Sequence, residues 1–564
     1  MMIKAVYIIS ILFILAGLCI PSLTLIELLR GDSLYHLQEH LIEQLMTGAT
    51  IFRTGMVLIG VLFIGMGKKI FPVRIIQKTE ASSEVHRNTH AILFAGIVIV
   101  AISLRLYGLN YGLWYDEIVT YVKYASLPFA EIISTYDSQN QHLLYSVLAH
   151  LSLNLFGESA WALRVPAVLF GVASIWAMYL LAGHVMNKRE ALLSSALLAL
   201  SYHHIWFSQN ARGYTGLLFW ALLTSWLLLR AIRGEESHIW FLYAVASALG
   251  IYTHMTMVFV LTGHFVMYMI AVFKRRHDDW PDRWRGVLVG FCLTGIFSFQ
   301  LYSLVLPQFM GTIGSEGTAV STWKNPLWTF LEFAKGAEIS FVGSFSLVIA
   351  LIIFGAGIWS FRKENPIVLQ LLFLPSLIGA GVVIGLGHHL WPRFFFFCFG
   401  FAVIVLVRGT MVTGHVIAKI IRLEPGRALP IGTALCIVVI LASAVSVYKV
   451  YAPKQDFSGA ISFVEKEMEA GDTIVTAGMA VIPYKNYYET DWETAETVED
   501  LNVTRSRSRR TWLVYTVPLH LETFHPDIME SIVSDFTVIK KFYGTLSGGA
   551  VIVSRADVFH HKKM

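Results

Sequence analysis

Apolar runs of about 17 to 25 residues, each long enough to cross a hydrocarbon core, recur from the N-terminus to about Tyr448. Read in order, they predict spans near 5–29, 50–72, 90–107, 160–184, 190–208, 214–232, 239–255, 257–273, 286–306, 341–361, 366–386, 394–412 and 429–448. That is about thirteen helices by the length rule. Beyond Tyr448 the pattern changes. Phe457 to Met468 has helical periodicity, and Thr473 to Thr476, Thr511 to Tyr515, Phe536 to Ile539 and Val551 to Val553 read as strands. Gly471-Asp472, Gly544 and Gly548-Gly549 punctuate them, which predicts a small α/β unit. The expected architecture is a polytopic α-helical membrane protein with a C-terminal α/β domain. It divides into residues 1–89 (two helices and a basic loop), 90–450 (the transmembrane core) and 451–564 (the tail).

Composition agrees with the pattern. The 564 residues are 55% hydrophobic and 14% charged, with a mean hydropathy of +0.61, whereas soluble domains run near a quarter charged. The net charge of +5 comes from basic residues in short loops, so orientation explains it and nucleic-acid binding is not inferred. With the N-terminus cytoplasmic, alternate loops carry Lys68, Lys69, Arg74 and Lys78, then Lys188 and Arg189, Arg230 and Arg233, Lys274 to Arg285, Arg362 and Lys363, and Lys419, Arg422 and Arg427. Nearly every basic cluster then lies inside, which predicts a plasma (inner) membrane protein with an extracytoplasmic tail. The stretches 30–49, 108–159, 208–214, 307–340 and 388–393 face outward with it. The first segment follows only Lys4 and is too long for a signal peptide without a small-residue cleavage pattern, so it is expected to stay as a span. Cys19, Cys292, Cys398 and Cys436 all fall in apolar segments and offer neither a disulfide framework nor a CxxC zinc site.

Candidate chemistry lies in the outward loops. The first large one opens with Leu113-Trp114-Tyr115-Asp116-Glu117. Adjacent carboxylates at a membrane surface suit a general base or a divalent-ion ligand, Glu117 being the candidate ligand. A helix N-terminus, with the acids of the first turn favouring backbone N–H groups, explains the pair equally well. Leu127 to Ile133 and Leu143 to Phe156 read as helices lying in the interface, with the polar Asp137 to His142 between them. A second loop carries Phe207-Ser208-Gln209-Asn210-Ala211-Arg212-Gly213-Tyr214. A guanidinium beside amides and a phenol is a phosphate site or an interfacial anchor. Arg393, after His388-His389-Leu390-Trp391-Pro392, poses the same choice. The paired histidines point about 100° apart on a helix and are not expected to share an ion. The Lys324 to Lys335 segment reads as a lid, and Arg505 to Arg510 as a solvated loop.

Taken together, the Tyr-Asp-Glu turn, Gln139-Asn140-Gln141-His142-Leu143-Leu144-Tyr145, Phe156-Gly157-Glu158, Arg164-Val165-Pro166-Ala167 and the Phe207 to Tyr214 motif resemble a known family. They look like bacterial and archaeal members of the protein O-mannosyltransferase-like branch (glycosyltransferase family 39) of the C-type, or GT-C, glycosyltransferase superfamily. The resemblance spans roughly residues 90 to 450. It implies a membrane glycosyltransferase that moves a sugar from a polyprenyl-phosphate-linked donor to an extracytoplasmic acceptor with inversion. Asp116 matches the essential acid and Glu117 its partner. Arg212 and Tyr214 match the second outward-loop motif, with Gln209, Asn210 and His142 beside them, and Arg393 matches a basic residue near the donor phosphate. The chain departs from the pattern at Gln141-His142-Leu143-Leu144-Tyr145, where many relatives have a His-Pro-Pro-Leu-Tyr type of sequence. Two rivals stand beside this reading: a transporter or flippase of lipid-linked sugars, which would place ionisable groups near the midplane, and a non-catalytic envelope-assembly protein.

Overall fold

A computed structural model of the chain describes residues 2–70, 84–233, 238–274, 286–314, 325–341, 344–387, 391–424, 427–546 and 548–557. Arg74, Lys78, the basic residues of 275–285, Lys324 and the His388-His389 pair lie outside them. Helices dominate as far as Tyr451 and a single sheet closes the chain. Among the described residues, 8 helices are long and apolar enough to cross a membrane, or up to 10 if each of two bent pairs is one span. The chain is therefore a multi-pass membrane protein.

Several expected spans are broken, each for a local reason. The run 5–29 is a helix to Cys19 and a second from Ser22 to Arg30, the two bent by 97°. Pro21 lies at the break, where it offers no N–H and drives Ile20 out of the helical region. The run 286–306 stops at Tyr302 and turns by 91° into a helix with Pro307 in its first turn. The run 190–208 divides into Lys188–Ala199 and Tyr202–Ser208, neither of which is long enough to cross alone.

The N-terminal helices dock on the rest of the bundle. An added Cβ on Gly48 would run into the Leu304 carbonyl, so this small residue lets two backbones meet. At the far end of the second helix, Arg30 donates to the Ser134 carbonyl and to Thr135 Oγ1, each at 2.8 Å. Gln308 grips the same strap from another side, accepting from the Tyr136 N–H at 2.7 Å and donating to the Ser134 carbonyl at 3.1 Å.

The tail follows the expected helix and strands. Asp456 caps the helix Phe457–Glu467 by accepting from the Gly459 N–H at 2.9 Å. The sheet is β1 (Asp472–Ala477), β2 (Glu493–Ala495), β3 (Arg510–Thr516), β4 (Thr537–Phe542) and β5 (Val551–Asp557), in the order β2-β1-β3-β5-β4. β1 runs parallel to both its neighbours, while β5 is antiparallel to β3 and β4. Three-residue β2 is too short to read from alternation. The Arg505 to Arg510 run is not a solvated loop. Arg505 is buried at the end of the helix Val498–Arg507 and pairs with Asp535 at 2.6 Å, and Arg510 opens β3 paired with Asp472 at 2.7 Å. Phe457, Tyr484 and Trp512 of the tail pack in one cluster with Leu113, Ile118 and Ala211, so the tail and the acidic turn share a core.

Candidate active site

The acidic turn is a short helix, Tyr115–Thr120, entered from an extended Trp114. Asp116 and Glu117 both fall in its first turn, and Glu117 reaches back to accept from the Trp114 N–H at 3.3 Å. The two acids then part company. Glu117 is fully buried and faces Arg164, whose Nε and Nη2 each donate to one carboxylate oxygen at 2.7 Å. The Ala211 N–H adds a third bond at 2.6 Å, and Lys454 Nζ stands 3.7 Å away. Burial pushes this carboxyl up, but the charges of Arg164 and Lys454 and the bonds from Arg164 and Ala211 outweigh it, holding Glu117 below the usual carboxylate range. The remaining Arg164 hydrogens go to the carbonyls of Leu109, Tyr111 and Gly112. One arginine thus knits the whole approach to the turn. In the same motif Pro166 has no N–H to give to Ala162, and the Ala162 carbonyl accepts from Ser152 instead, at 2.6 Å.

Asp116 points the other way. Its side chain is 13% exposed, and its Oδ2 pairs with Arg393 Nη1 at 3.3 Å as an ion pair without hydrogen-bond geometry. The Arg393 guanidinium lies over the rings of Trp391 at 4.6 Å and Trp114 at 6.0 Å, which fix its plane. Trp391 in turn meets Trp328 edge-on at 5.3 Å, so the helix Pro326–Phe341, where a lid was expected, borders the site through that ring.

The second motif supplies the opposite wall. Arg212 donates to the Asn140 carbonyl and to Thr120 Oγ1 at 3.4 Å, and its Nη2 lies 3.3 Å from His142 Nε2. His142 Nδ1 accepts from the Gly213 N–H at 2.8 Å. A Cβ on Gly213 would stand 2.6 Å from the Thr253 carbonyl and 2.9 Å from that Nδ1, so the glycine allows this close approach. Tyr214 packs edge-on against the His142 ring at 5.6 Å. Asn210 accepts from Trp114 Nε1 at 3.0 Å and leaves its Nδ2 free of any described partner. Gln209 behaves differently from its neighbours. Its amide donates to the carbonyls of Arg105 at 3.0 Å and Tyr107 at 2.6 Å, capping the helix Glu84–Leu106 rather than joining Arg212.

Asp116, Asn210, Arg212, Tyr214, His142 and Arg393 therefore gather in one cluster, with Glu117 and Gln209 behind it. Buried atoms in and beside it lack hydrogen-bond partners among the described residues: Asp116 Oδ2, Asn210 Nδ2, Arg212 Nε, Tyr214 OH, His254 Nε2 and Arg393 Nε. All but the carboxylate oxygen can donate. An unmet buried donor costs roughly 1–3 kcal/mol, so such a cluster fits an oxygen-rich anionic ligand. Among the described residues no three His, Cys, Asp or Glu side chains are grouped to hold a metal ion.

Residues that local pattern leaves unmarked complete the site. Lys454 donates to the Gln209 carbonyl, and burial, opposed by Glu117 and reinforced by Arg164, lowers its ammonium to about 7. Gln455 accepts from the Tyr115 N–H at 2.9 Å and donates to Thr516 Oγ1 at 3.2 Å and the Gly549 carbonyl at 3.0 Å, tying the sheet to the acidic turn. Gln455→Ala is expected to lower stability by about 1–3 kcal/mol, read as a drop in thermal midpoint, because it leaves the Tyr115 N–H unpaired. Only the Arg164-Val165-Pro166-Ala167 motif carried a signal for Arg164. Lys454 and Gln455 meet the site across hundreds of residues and carried none.

Residues 140–302 match the family model described as dolichyl-phosphate-mannose-protein mannosyltransferase. A segment is 31% identical over 123 residues to YkcB of Bacillus subtilis (strain 168), which bears a provisional mannosyltransferase name; it covers 22% of this chain and 17% of that protein. In fold the chain resembles the oligosaccharyltransferase of Archaeoglobus fulgidus in its apo form, with a TM-score of 0.50, 12% identity, and coverage of 84% of this chain and 76% of that one. ArnT from Cupriavidus metallidurans in the apo state aligns at a TM-score of 0.48 and 11% identity, covering 83% of this chain and 98% of that one. Over residues 140–302 the chain is thus similar to the mannosyltransferase family that its motifs resemble.

Proposed function

We propose that the chain transfers a sugar from a polyprenyl-phosphate-linked donor to a hydroxyl of an extracytoplasmic lipid, glycan or protein. The observation that carries this reading is the cluster in which Asp116 Oδ2, ion-paired with Arg393, meets several buried donors that lack hydrogen-bond partners among the described residues. Asp116 takes the proton of the acceptor hydroxyl as its oxygen attacks the anomeric carbon. The bond from that carbon to the phosphate oxygen breaks on the opposite face, the electron pair leaves with the phosphate, and the sugar inverts. Arg212 and Arg393 stabilise the charge growing on the lipid phosphate. Tyr214, Asn210 and His142 line the donor side. Glu117 and Gln209 position the two turns that carry these groups.

The proposed orientation is the one that loop charges favour, with about thirteen spans, a cytoplasmic N-terminus and an extracytoplasmic tail. The donor lipid cannot leave the bilayer, so its phosphate must be met at the interface, where the acidic turn, the Arg212 turn and the tail come together. At another junction Arg408 joins the basic-rich loops by pairing with Glu190 at 3.0 Å and with Glu364. The three-part division at residues 89 and 450 belongs to the same proposal.

The test uses membranes with and without the chain, supplied with polyprenyl-phosphate sugars labelled in the sugar, hexose and pentose in turn. Transfer predicts label on an acceptor and an equal amount of free polyprenyl phosphate, both dependent on the chain. Donor that crosses the membrane intact, with no phosphate released, would establish the transporter reading instead.

A further inference from the structure

His254 sits in the break between the helices Ile239–Thr253 and Met257–Lys274. No motif marks it, and no role in the transfer has been given to it. Its Nδ1 accepts from the Thr256 backbone N–H at 3.3 Å, with the Thr256 hydroxyl 2.9 Å away. A ring nitrogen that accepts an N–H carries no proton, so in the neutral ring the hydrogen is on Nε2. The side chain is buried, and that Nε2 bonds to no described residue. The ring lies 4.5 Å from the ring of His142 and 5.2 Å from that of Tyr214.

His142 is pinned in the same way. Its Nδ1 accepts the Gly213 N–H, which puts its hydrogen on Nε2 as well. Yet Nε2 faces Arg212 Nη2 at 3.3 Å, and a guanidinium nitrogen can only donate. Two donors that confront each other in a buried site are satisfied together when an anion accepts from both. Burial, with the charges of Arg212 and Arg393, holds His142 well below its ordinary range and keeps the ring neutral.

We propose that His254 and His142 form the neutral half of a phosphate cradle whose charged half is Arg212 and Arg393, each histidine donating its Nε2–H to an oxygen of the lipid phosphate. This assignment rests on the transferase reading and names two residues of its donor subsite. The division has a chemical use. Bonds from neutral donors strengthen as charge gathers on the departing phosphate, and the pinned rings give up no proton to it.

A structural role for His254 would need only Nδ1 and its bond to Thr256, and two amide substitutions separate the alternatives. Glutamine can place an N–H near the position of Nε2, whereas asparagine reaches only the position of Nδ1. With the full chain in lipid nanodiscs, binding of polyprenyl phosphate without sugar is expected to weaken about tenfold in His254→Asn and within a few fold in His254→Gln. His142→Gln and His142→Asn should repeat the contrast, so the result does not hang on the folding of one variant. Binding kept in the Asn variants and lost in the Gln variants, or unchanged in all four, would overturn the cradle while leaving the transferase reading intact. A wild-type chain that binds no polyprenyl phosphate would overturn both.

Discussion

Asp116→Asn is expected to slow sugar transfer by about a hundredfold or more, which is about 2.7 kcal/mol or more of barrier, with little change in thermal stability. The substitution keeps the shape of the side chain. It removes the group that accepts the hydroxyl proton and the charge that pairs with Arg393 at 3.3 Å. Because Asp116 Oδ2 holds only the ion pair to Arg393 and no hydrogen bond with a described residue, little folding energy rests on it. The loss should therefore appear in turnover of bound donor rather than in donor affinity. Lipid phosphate binding is expected to hold or tighten, since Arg393 no longer shares its charge with a carboxylate. Wild-type turnover by a folded Asp116→Asn chain would remove this residue from the chemistry.

The adjacent acid predicts the opposite outcome. Arg164→Ala is expected to destabilise the chain by about 3–5 kcal/mol, since it leaves the fully buried Glu117 carboxylate without its bidentate partner. It also strips donors from the carbonyls of Leu109, Tyr111 and Gly112. Thermal unfolding of the purified chain measures the loss, and Glu117→Leu with Arg164→Met should be milder than either single change to alanine. The pH dependence has a definite sign. Glu117 is held below its unfolded value, so its contribution is fully present above the ordinary carboxylate range and is lost as pH falls through the depressed folded value. In Arg164→Ala that acid-side loss of stability should shrink. An Arg164→Ala chain as stable as wild type would show that the pair holds nothing together.

The contrast between the two acids marks where the sequence could be read and where it could not. The length of the apolar runs located the helices because each must bury a run of fixed length, but the run 5–29 was read straight through the break at Pro21. The meeting of Asp116 with Arg393 was expected from loops assigned to one face. Only the family resemblance set Asp116 before Glu117, because the two are equivalent locally and are distinguished in the fold by Arg164, Ala211 and Lys454, all distant in sequence. Gln209 sits in the motif beside Arg212, yet its amide caps a helix more than a hundred positions earlier. The tail was legible as α/β, but its anchorage to the acidic turn through Gln455 depends on three contacts from three different segments. Arg30 is a comparable case, since an ordinary basic residue at a helix end proves to hold the strap that leads to Asn140 and His142.

The most direct measurement is a single turnover of labelled polyprenyl-phosphate sugar bound to the chain in nanodiscs, following donor binding and release of polyprenyl phosphate in the same sample. The account predicts binding and release by the wild type, binding without release by Asp116→Asn, and loss of binding in Arg212→Gln with Arg393→Gln. Release at the wild-type rate from Asp116→Asn, or undiminished binding by the double arginine variant, would contradict it.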